Sequence, residues 1–162
     1  MSRLPLIGFL VLAVATVAAF FIVQHLKVST PLISGVTGPS PAEVNPLIGR
    51  SCFDRVRREQ IGPASRVSFY LLHASDKVDV YVVNLTGRTV ATLARDRFMK
   101  ASLFPHEVPT TFAWNGREPN GSIAPNGTYY IDVHLIHQNR IVTISNGSGP
   151  EAVRIDTTAR CS

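Results

Sequence analysis

Residues Trp114 to Val133, WNGREPNGSIAPNGTYYIDV, decide the fold of this chain. The pairs Asn115-Gly116 and Asn126-Gly127 tolerate the positive φ angles of tight reversals, and Pro125 fixes φ just before the reversal at Asn126-Gly127. The aromatic residues on either side, Trp114 and Tyr129, are typical of strands. The segment therefore predicts two strands connected through tight turns, and it does not identify a reaction.

Alternating apolar and polar residues predict the other strands. From Tyr129 to Ile136 one face can enter a core while the other meets solvent, and residues 67–72 and 78–83 alternate in the same way. About seven strands at this spacing predict an all-β fold, an antiparallel β-sandwich. The four shorter candidates are Thr89–Leu93, Thr111–Trp114, Arg140–Ile144 and Ala152–Asp156.

The N-terminal region is apolar enough to enter a membrane. Residues 4–23 carry no charge over twenty positions, and a helix of that length rises about 30 Å, the thickness of a bilayer's hydrocarbon core. We expect an uncleaved signal-anchor; the alternative is a removed signal peptide, although cleavage near Ala15 or Ala19 would leave an apolar stub. Arg3 and Lys27 nearly balance the flanking charge, and we expect the N-terminus inside and the domain outside.

Three regions follow from these patterns. We expect a transmembrane signal-anchor over residues 1–28, a Pro/Gly-rich stalk over 29–49 and the β-sandwich domain over 50–162. Residues 29–46 contain four prolines, which remove backbone donors, and two glycines, which add freedom. Such a composition is expected to hold a stalk partly extended.

The turn-rich segment resembles a known family. The FlgD-type immunoglobulin-like domain usually shows an aromatic-x-Trp-Asp-Gly segment, then a Gly, then Pro-x-Gly-x-Tyr at the start of a strand. Residues 67–93 also resemble its first half, and 154–158 resemble the final strand of related extracytoplasmic modules. Asn115 departs from the usual Asp, and residues 105–109 stand where a Gly turn commonly occurs. The matching residues are Phe112, Trp114, Asn115, Gly116, Gly121, Pro125, Gly127 and Tyr129.

This resemblance implies an immunoglobulin-like β-sandwich in a bacterial envelope protein, and it implies a fold more firmly than an activity. FlgD caps the flagellar hook with an additional N-terminal region and has no membrane anchor. For this chain the resemblance therefore implies a spacer or interaction domain and not hook capping. Trp114 is expected to be a core anchor whose indole N–H needs an acceptor. The alternative is an exposed platform for a sugar ring.

Two cysteines bracket the predicted domain. Cys52 precedes its first strand and Cys161 is the penultimate residue, a placement that predicts a disulfide in a small extracytoplasmic module. Closing a loop of this size would stabilise the fold by about 4 to 5 kcal/mol on the chain-entropy model. Two separate thiols in a reducing compartment are the alternative.

The net charge of +5 is unevenly placed. Residues 1–66 carry a net +4 and residues 67–162 a net +1, so the folded half is nearly neutral and nucleic acid is not an expected partner. Two basic clusters are candidates for contact with anionic lipid headgroups or cell-wall polymer, with a solvated face as the alternative. The clusters are Arg50, Arg55, Arg57 and Arg58 in the neck and Arg88, Arg95, Arg97 and Lys100 near the loop after the third strand, and the candidate contacts among them are Arg55, Arg57, Arg58, Arg95, Arg97 and Lys100.

Catalytic signals are weak. His134 and His137 are three residues apart, which places them on opposite faces of a strand and opposes a shared metal ion. The sequence contains no phosphate-binding loop, dinucleotide fingerprint or thiol metal cluster. We therefore predict no catalytic, metal or cofactor residues and no enzyme.

The predicted function is that of a membrane-tethered, extracytoplasmic, non-catalytic module of the bacterial cell envelope, which binds or spaces other proteins. A free strand edge could recruit an extended segment. One alternative is a polysaccharide or cell-wall polymer binding module that uses Tyr70, Tyr81 and Tyr130. Another is an accessory subunit of an envelope enzyme.

Overall fold

A computed structural model describes residues 4–29, 31–102, 108–145 and 149–161. The chain divides into two compact units, Met1–Pro31 and Leu32–Ser162. The first unit is helical and the second is built from strands.

The first unit contains one α-helix, α1, at Leu4–Ser29. The side chains described in it, at residues 8–23, are all exposed. They are apolar except for Thr16, whose hydroxyl donates a hydrogen bond to the carbonyl of Leu12 at 2.9 Å. Among the residues that the structure describes, no helix combines the length and hydropathy that crossing a membrane requires.

The second unit consists of two β-sheets. The described strands are β1 Ile33–Ser40, β2 Glu43–Val44, β3 Cys52–Asp54, β4 Glu59–Gly62, β5 Ser65–Leu71, β6 Asp76–Asn84, β7 Thr89–Met99, β8 Thr110–Trp114, β9 Gly127–Leu135, β10 Arg140–Thr143 and β11 Ala152–Ile155. The small sheet has the order β1-β5-β8, and the large sheet has the order β3-β4-β2-β11-β9-β6-β7, with β10 also paired to β9. Pairing is antiparallel except that β2 runs parallel to both β4 and β11.

Side chains from both sheets form one core. Val80 and Val82 of β6 and Val133 of β9 are fully buried. From the small sheet, Phe69 stacks on Phe112 with ring centroids 5.2 Å apart, and all of these side chains belong to one cluster. Each fully buried side chain of this size contributes about 1.5 to 3 kcal/mol, so the alternation visible in the sequence is what holds the sheets together.

The structure confirms the predicted all-β class of the domain, because the described secondary structure of the second unit consists of strands. Each of the seven predicted strands is present, as β5 to β11. The predicted number of about seven is wrong, because β1 to β4 precede them. In the sequence of these four strands, apolar and polar residues do not alternate regularly. A prediction that relies on such alternation therefore misses them.

The prediction of a stalk over residues 29–49 is wrong for Ile33–Ser40 and Glu43–Val44, which are strands. Strand β1 pairs with β5 in the small sheet. Ile33 and Val36 pack against the core. This segment is therefore part of the folded unit.

Proline and glycine are compatible with β1 because of where it lies. It forms an edge of the small sheet, and Pro39 sits near its end, where a missing N–H donor is tolerated. Gly35 has a φ of 59°, and a Cβ atom there would lie 2.1 Å from the ring of Tyr70. The glycine thus accommodates a close approach and does not loosen the chain.

A disulfide joins Cys52 in β3 to Cys161 near the C-terminus, as the sequence predicts. The two Cα atoms are 5.6 Å apart across a sequence separation of 109. Removing the loop-closure entropy of so long a segment stabilises the fold by about 4 to 5 kcal/mol on the chain-entropy model. The bond fixes the end of the chain to an edge strand of the large sheet.

Candidate functional site

Trp114 and Tyr129 of the turn-rich motif are packed in the core. Trp114 is 3% exposed, and its ring meets that of Tyr129 edge-on with centroids 5.0 Å apart. The indole Nε1 donates to the carbonyl of Arg117 at 2.9 Å, and the Tyr129 hydroxyl donates to the carbonyl of Pro125 at 2.6 Å. Both rings therefore have structural contacts that hold them in the core.

The other residues of the motif shape the turns. The Asn115 side-chain oxygen accepts the backbone N–H of Arg117 at 3.2 Å. Gly116 has a φ of 71°, and a Cβ atom there would lie 2.6 Å from Pro46. Gly121 has a φ of 87°. Glycine is favoured at both positions because L side chains rarely adopt this backbone conformation.

The strand edges differ in how they are protected against pairing. Edge strands are normally blunted by bulges, charges, prolines or short length. Strand β1 has two register shifts against β5, and β7 has three against β6. Strand β7 also carries Arg95, Asp96 and Arg97. Strand β3 has only three residues, and β10 has four and begins with Arg140.

Strand β8 has no charged residue, proline or register shift of its own. All five of its residues, TTFAW at Thr110–Trp114, are described, and none is charged or proline. It pairs with β5 over five consecutive residues without a register shift, and β5 is its only partner in the described sheets. Its second edge faces β7, which comes close enough for the Arg97 guanidinium to lie over the ring of Phe112.

A surface groove lies between β8 and β7. We call it the edge groove; its main part has a volume of about 750 Å³, and a smaller part of about 140 Å³ adjoins it along β7. On one side it is lined by Ala113 and Trp114 at the end of β8 and by the loop that follows, and on the other side by consecutive residues of β7. The groove thus lies beside the C-terminal end of β8 and does not extend along the whole strand. Its lining residues on the β8 side are 113–115, 117–119 and Gly121, and on the β7 side 88–93 and Arg95.

Positive charge predominates in the edge groove. Arg88, Arg95 and Arg117 line it, against the single carboxylate of Glu118, a net of +2. The Arg117 guanidinium donates to the carbonyl of Gly121 at 2.8 Å, which holds its charge beside the groove. The arrangement attracts negative charge.

The outer face of the large sheet carries a second group of polar and aromatic side chains. The rings of Tyr81 and His134 meet edge-on with centroids 4.8 Å apart. The Tyr81 hydroxyl donates to Asp79 at 2.8 Å, and the N–H of Asp96 donates to the same carboxylate at 2.7 Å. The Asp96 and Tyr81 hydrogen bonds lower the pKa of Asp79, so this carboxylate stays ionised.

The three candidate tyrosines do not form one row. The register pairs Val83 with Tyr130, which places Tyr130 and Tyr81 as diagonal neighbours on the outer face of the large sheet. Tyr70 lies on β5 of the small sheet and packs over Gly35. Only Tyr81 and Tyr130 can therefore contribute to one surface.

The structure also separates the two basic clusters. Arg55, Arg57 and Arg58 occupy the turn between β3 and β4, whereas Arg95 and Arg97 are on β7, at the opposite end of the strand order. Lys100 follows β7. The Arg97 guanidinium lies over the ring of Phe112, 5.3 Å from its centroid. The six residues are thus two separate groups.

Arg57 belongs to an ion-pair network around a buried carboxylate. Glu43, 1% exposed, accepts hydrogen bonds from Arg57 at 2.9 Å and from Arg154 at 2.6 Å. Arg57 also donates to Asp156 at 2.8 Å. Hydrogen bonds from Thr158 and Arg57 hold the pKa of Asp156 well below its usual range. Sequence reasoning missed Glu43, since a lone glutamate in a proline-rich stretch gives no signal of burial.

Asp76 is a second buried carboxylate with a structural role. It accepts the backbone N–H of His137 at 2.9 Å, of Gln138 at 3.2 Å and of Lys77 at 2.7 Å, and it lies 2.7 Å from the His137 ring nitrogen. It thereby fixes the β9–β10 turn. In the described part of the chain, no group of three or more His, Cys, Asp or Glu side chains is placed to hold a metal ion.

No protein-family model matches this chain, and a search of the curated proteins finds no significant match.

Proposed function

We propose that the protein is a membrane-tethered, extracytoplasmic module that acts without catalysis as a protein-interaction or spacer domain of the bacterial cell envelope. The observation that carries this proposal is the Cys52–Cys161 disulfide in a β unit that follows an apolar helix. Disulfides persist in oxidising compartments such as the periplasm and the cell surface. Export and an apolar N-terminal helix together fit a tethered envelope protein.

In this proposal, α1 is an uncleaved signal-anchor with its N-terminus inside. Residues 4–23 contain no charged side chain, and the exposed side chains described at residues 8–23 are apolar apart from Thr16. A continuous apolar surface of this kind is unfavourable in water and is accommodated by lipid.

The β unit is proposed to be an immunoglobulin-like sandwich of the FlgD type. The order β1-β5-β8 corresponds to strands A, B and E of such sandwiches, and β11-β9-β6 corresponds to strands G, F and C. The resemblance of residues 112–129 to the family motif supports the same assignment. Such domains serve as spacers or binding modules, which favours a non-catalytic role.

The proposal is tested with the full-length chain in its native cells. We expect it to stay in the membrane fraction after an alkaline wash, to lose its C-terminal domain to external protease, and to show no alkylated cysteine by mass spectrometry unless reductant is added. Replacing Val14 and Val17 with Lys should abolish membrane retention, since each charge opposes insertion by about 2.5 to 3.5 kcal/mol. Recovery of the unmodified chain in the soluble fraction with both thiols alkylated would refute the proposal.

Polysaccharide binding is the second candidate function, because Tyr81, Tyr130 and His134 share the outer face of the large sheet. Aromatic rings of this kind stack on sugar rings. If this function holds, replacing Tyr81 and Tyr130 with Ala should weaken sedimentation with purified cell-wall polysaccharide about tenfold. Phe53→Ala is the matched control, because it removes an aromatic ring that is 53% exposed elsewhere on the unit.

A further inference from the structure

We infer that one end of the β unit docks on the anionic headgroups of the bilayer that holds α1. We call it the entry end, because the chain enters the β unit there. The inference rests on the proposed membrane tether and adds which surface of the β unit faces the lipid. The described residues of the entry end are 32–33, 71–77, 96–102, 108–110 and 135–140.

The small sheet places the start of β1 at the entry end. Ile33 pairs with Leu71 at the end of β5, and the N–H of Leu72 donates to the carbonyl of Leu32 at 2.8 Å. Strand β8, which runs antiparallel to β5, begins at the same end. Backbone pairing therefore fixes where the chain enters the β unit.

Strand ends of the large sheet lie at the same end. Strand β6 begins at Asp76, which pairs with Met99 at the end of β7, and β9 ends beside the start of β6. The N–H of Ser102, just after β7, donates to the carbonyl of Leu71 at 2.9 Å. The two sheets therefore meet at the entry end.

The proposed tether joins the β unit at the entry end. Helix α1 ends at Ser29 and β1 begins at Ile33, which leaves three residues between a lipid anchor and the small sheet. A chain of that length spans at most about 14 Å. An anchor in the bilayer would thus keep the start of β1 close to the headgroups, whatever the orientation of the β unit.

Apolar side chains are exposed at the entry end. Val108, which precedes β8, is 91% exposed, and Phe98 and Ile136 are also exposed. Phe98 pairs with Lys77, and the N–H of Ile136 donates to the carbonyl of Lys77 at 3.0 Å. Apolar side chains on either side of a lysine suit the headgroup region, where the apolar groups meet lipid and the ammonium group stays at the polar surface.

Positive charge predominates at the entry end. Asp76 is fully buried, and Asp96 pairs with Lys77 at 3.0 Å. Anionic headgroups attract Lys and Arg side chains that lie within a Debye length of the surface. The described charges at this end are Lys77, Arg97, Lys100 and Arg140 against Asp76 and Asp96, a net of +2 with histidines neutral.

The opposite end of the β unit offers a matched control. The β6–β7 turn carries Leu85, which is 71% exposed, and Arg88, which is also exposed. Strand β6 has nine residues, about 30 Å of strand, so this turn is far from the lipid when the entry end lies on it. Leu85 and Arg88 resemble Val108 and Lys100 in chemistry and differ in position.

The test uses full-length chains, one per disc, in nanodiscs of phosphatidylcholine with or without phosphatidylglycerol. In hydrogen-exchange mass spectrometry, phosphatidylglycerol should slow exchange at residues 72–75 and 136–139 at least about threefold, and salt raised from about 50 to 500 mM should reduce the effect. Residues 85–88 should exchange equally in both discs. A chain that does not enter the discs refutes the tether, whereas a chain that enters them but exchanges equally in both refutes only the docking.

Paired substitutions separate position from chemistry. The double variant K100E/V108D should lose the slowing at residues 72–75, to within about twofold of exchange in neutral discs, because it replaces a cation and an apolar group with carboxylates. The double variant R88E/L85D should retain the slowing. Unchanged Trp114 fluorescence in both variants checks that they are folded. Full slowing in K100E/V108D, or its loss in R88E/L85D, would overturn the inference.

Other occupants of the entry end predict different results. A photo-crosslinking amino acid at position 108 of the full-length chain in native cells should give lipid adducts, and one at position 85 should not. Protein adducts at position 108 would assign this end to a protein partner. Exchange that slows only when two chains share a disc would assign it to a second copy. Either result, or lipid adducts at position 85 alone, overturns the inference.

Discussion

Glu43 on β2 and Arg57 in the β3–β4 turn form an ion pair of 2.9 Å. The Glu43 side chain is 1% exposed and the Arg57 side chain 43%. Burying a carboxylate is unfavourable unless it is paired and hydrogen-bonded, so Glu43 depends on Arg57 and on Arg154. A residue expected in a stalk and one expected on an anionic surface thus stabilise the sheet together.

Glu43→Gln is expected to lower the free energy of unfolding by about 1 to 3 kcal/mol, because it removes the charge that two arginines share while preserving side-chain size. Urea denaturation at neutral pH measures the change. Glu59→Gln is the matched control. Glu59 binds Arg154 at 2.5 Å but is 45% exposed, so its replacement should change stability by less than about 1 kcal/mol. Equal losses in the two variants would contradict a special role for burial.

Stability is expected to fall in acid, partly through Asp76. Burial raises the pKa of Asp76, but its hydrogen bonds, mainly from His137, leave that pKa below its ordinary value. The unfolded chain then binds the proton more readily, so the stabilisation is present above the unfolded pKa of about 3.9 and is lost as pH falls through the folded pKa. Urea denaturation between about pH 6 and pH 2 should show this decline, and Asp76→Asn should be less stable at pH 6 with a shallower decline. An unchanged slope in the variant would exclude Asp76 as a contributor.

The sequence predicts the later strands well because their side chains report burial directly. Val78, Val80 and Val82 alternate with Lys77, Asp79 and Tyr81, and each of the three valines is fully buried. The segment before Cys52 could not be predicted in this way. Strand β2 has two residues, which are too few to show an alternation of apolar and polar side chains. Strand β1 contains Gly35 and Pro39, and these residue types are typical of a linker.

Candidate site residues were predicted less completely, because surfaces depend on which strands meet at an edge. The sequence identifies Arg95 and Arg97 as a basic cluster, but it does not show that β7 faces β8 across a groove. Arg88 belongs to the same sequence cluster, but Arg117 joins the cationic lining only through that arrangement. A local sequence pattern carries no information on contacts between strands that are not adjacent.

Trp114→Phe is expected to lower the free energy of unfolding by about 1 to 3 kcal/mol, because it removes the hydrogen bond to the Arg117 carbonyl and leaves a small cavity. Trp114 is the single tryptophan of the chain, so its fluorescence in the parent reports its burial. The emission should be blue-shifted and weakly quenched by acrylamide until the chain unfolds. Tyr129→Phe, which removes only the hydroxyl bonded to Pro125, should destabilise by about 1 kcal/mol. Emission typical of exposed indole in the folded chain would contradict the core position.

Gly35→Ala tests whether β1 is part of the folded unit. The added Cβ atom would lie 2.1 Å from the ring of Tyr70, at a backbone φ of 59°, so either the ring or the strand must move. We expect a loss of about 1 to 3 kcal/mol in the free energy of unfolding. Gly49→Ala is the matched control, since a Cβ atom there has no neighbour within 4 Å, and it should change stability by less than about 0.5 kcal/mol in either direction. A flexible stalk would tolerate both substitutions equally, whereas a paired strand tolerates only the second.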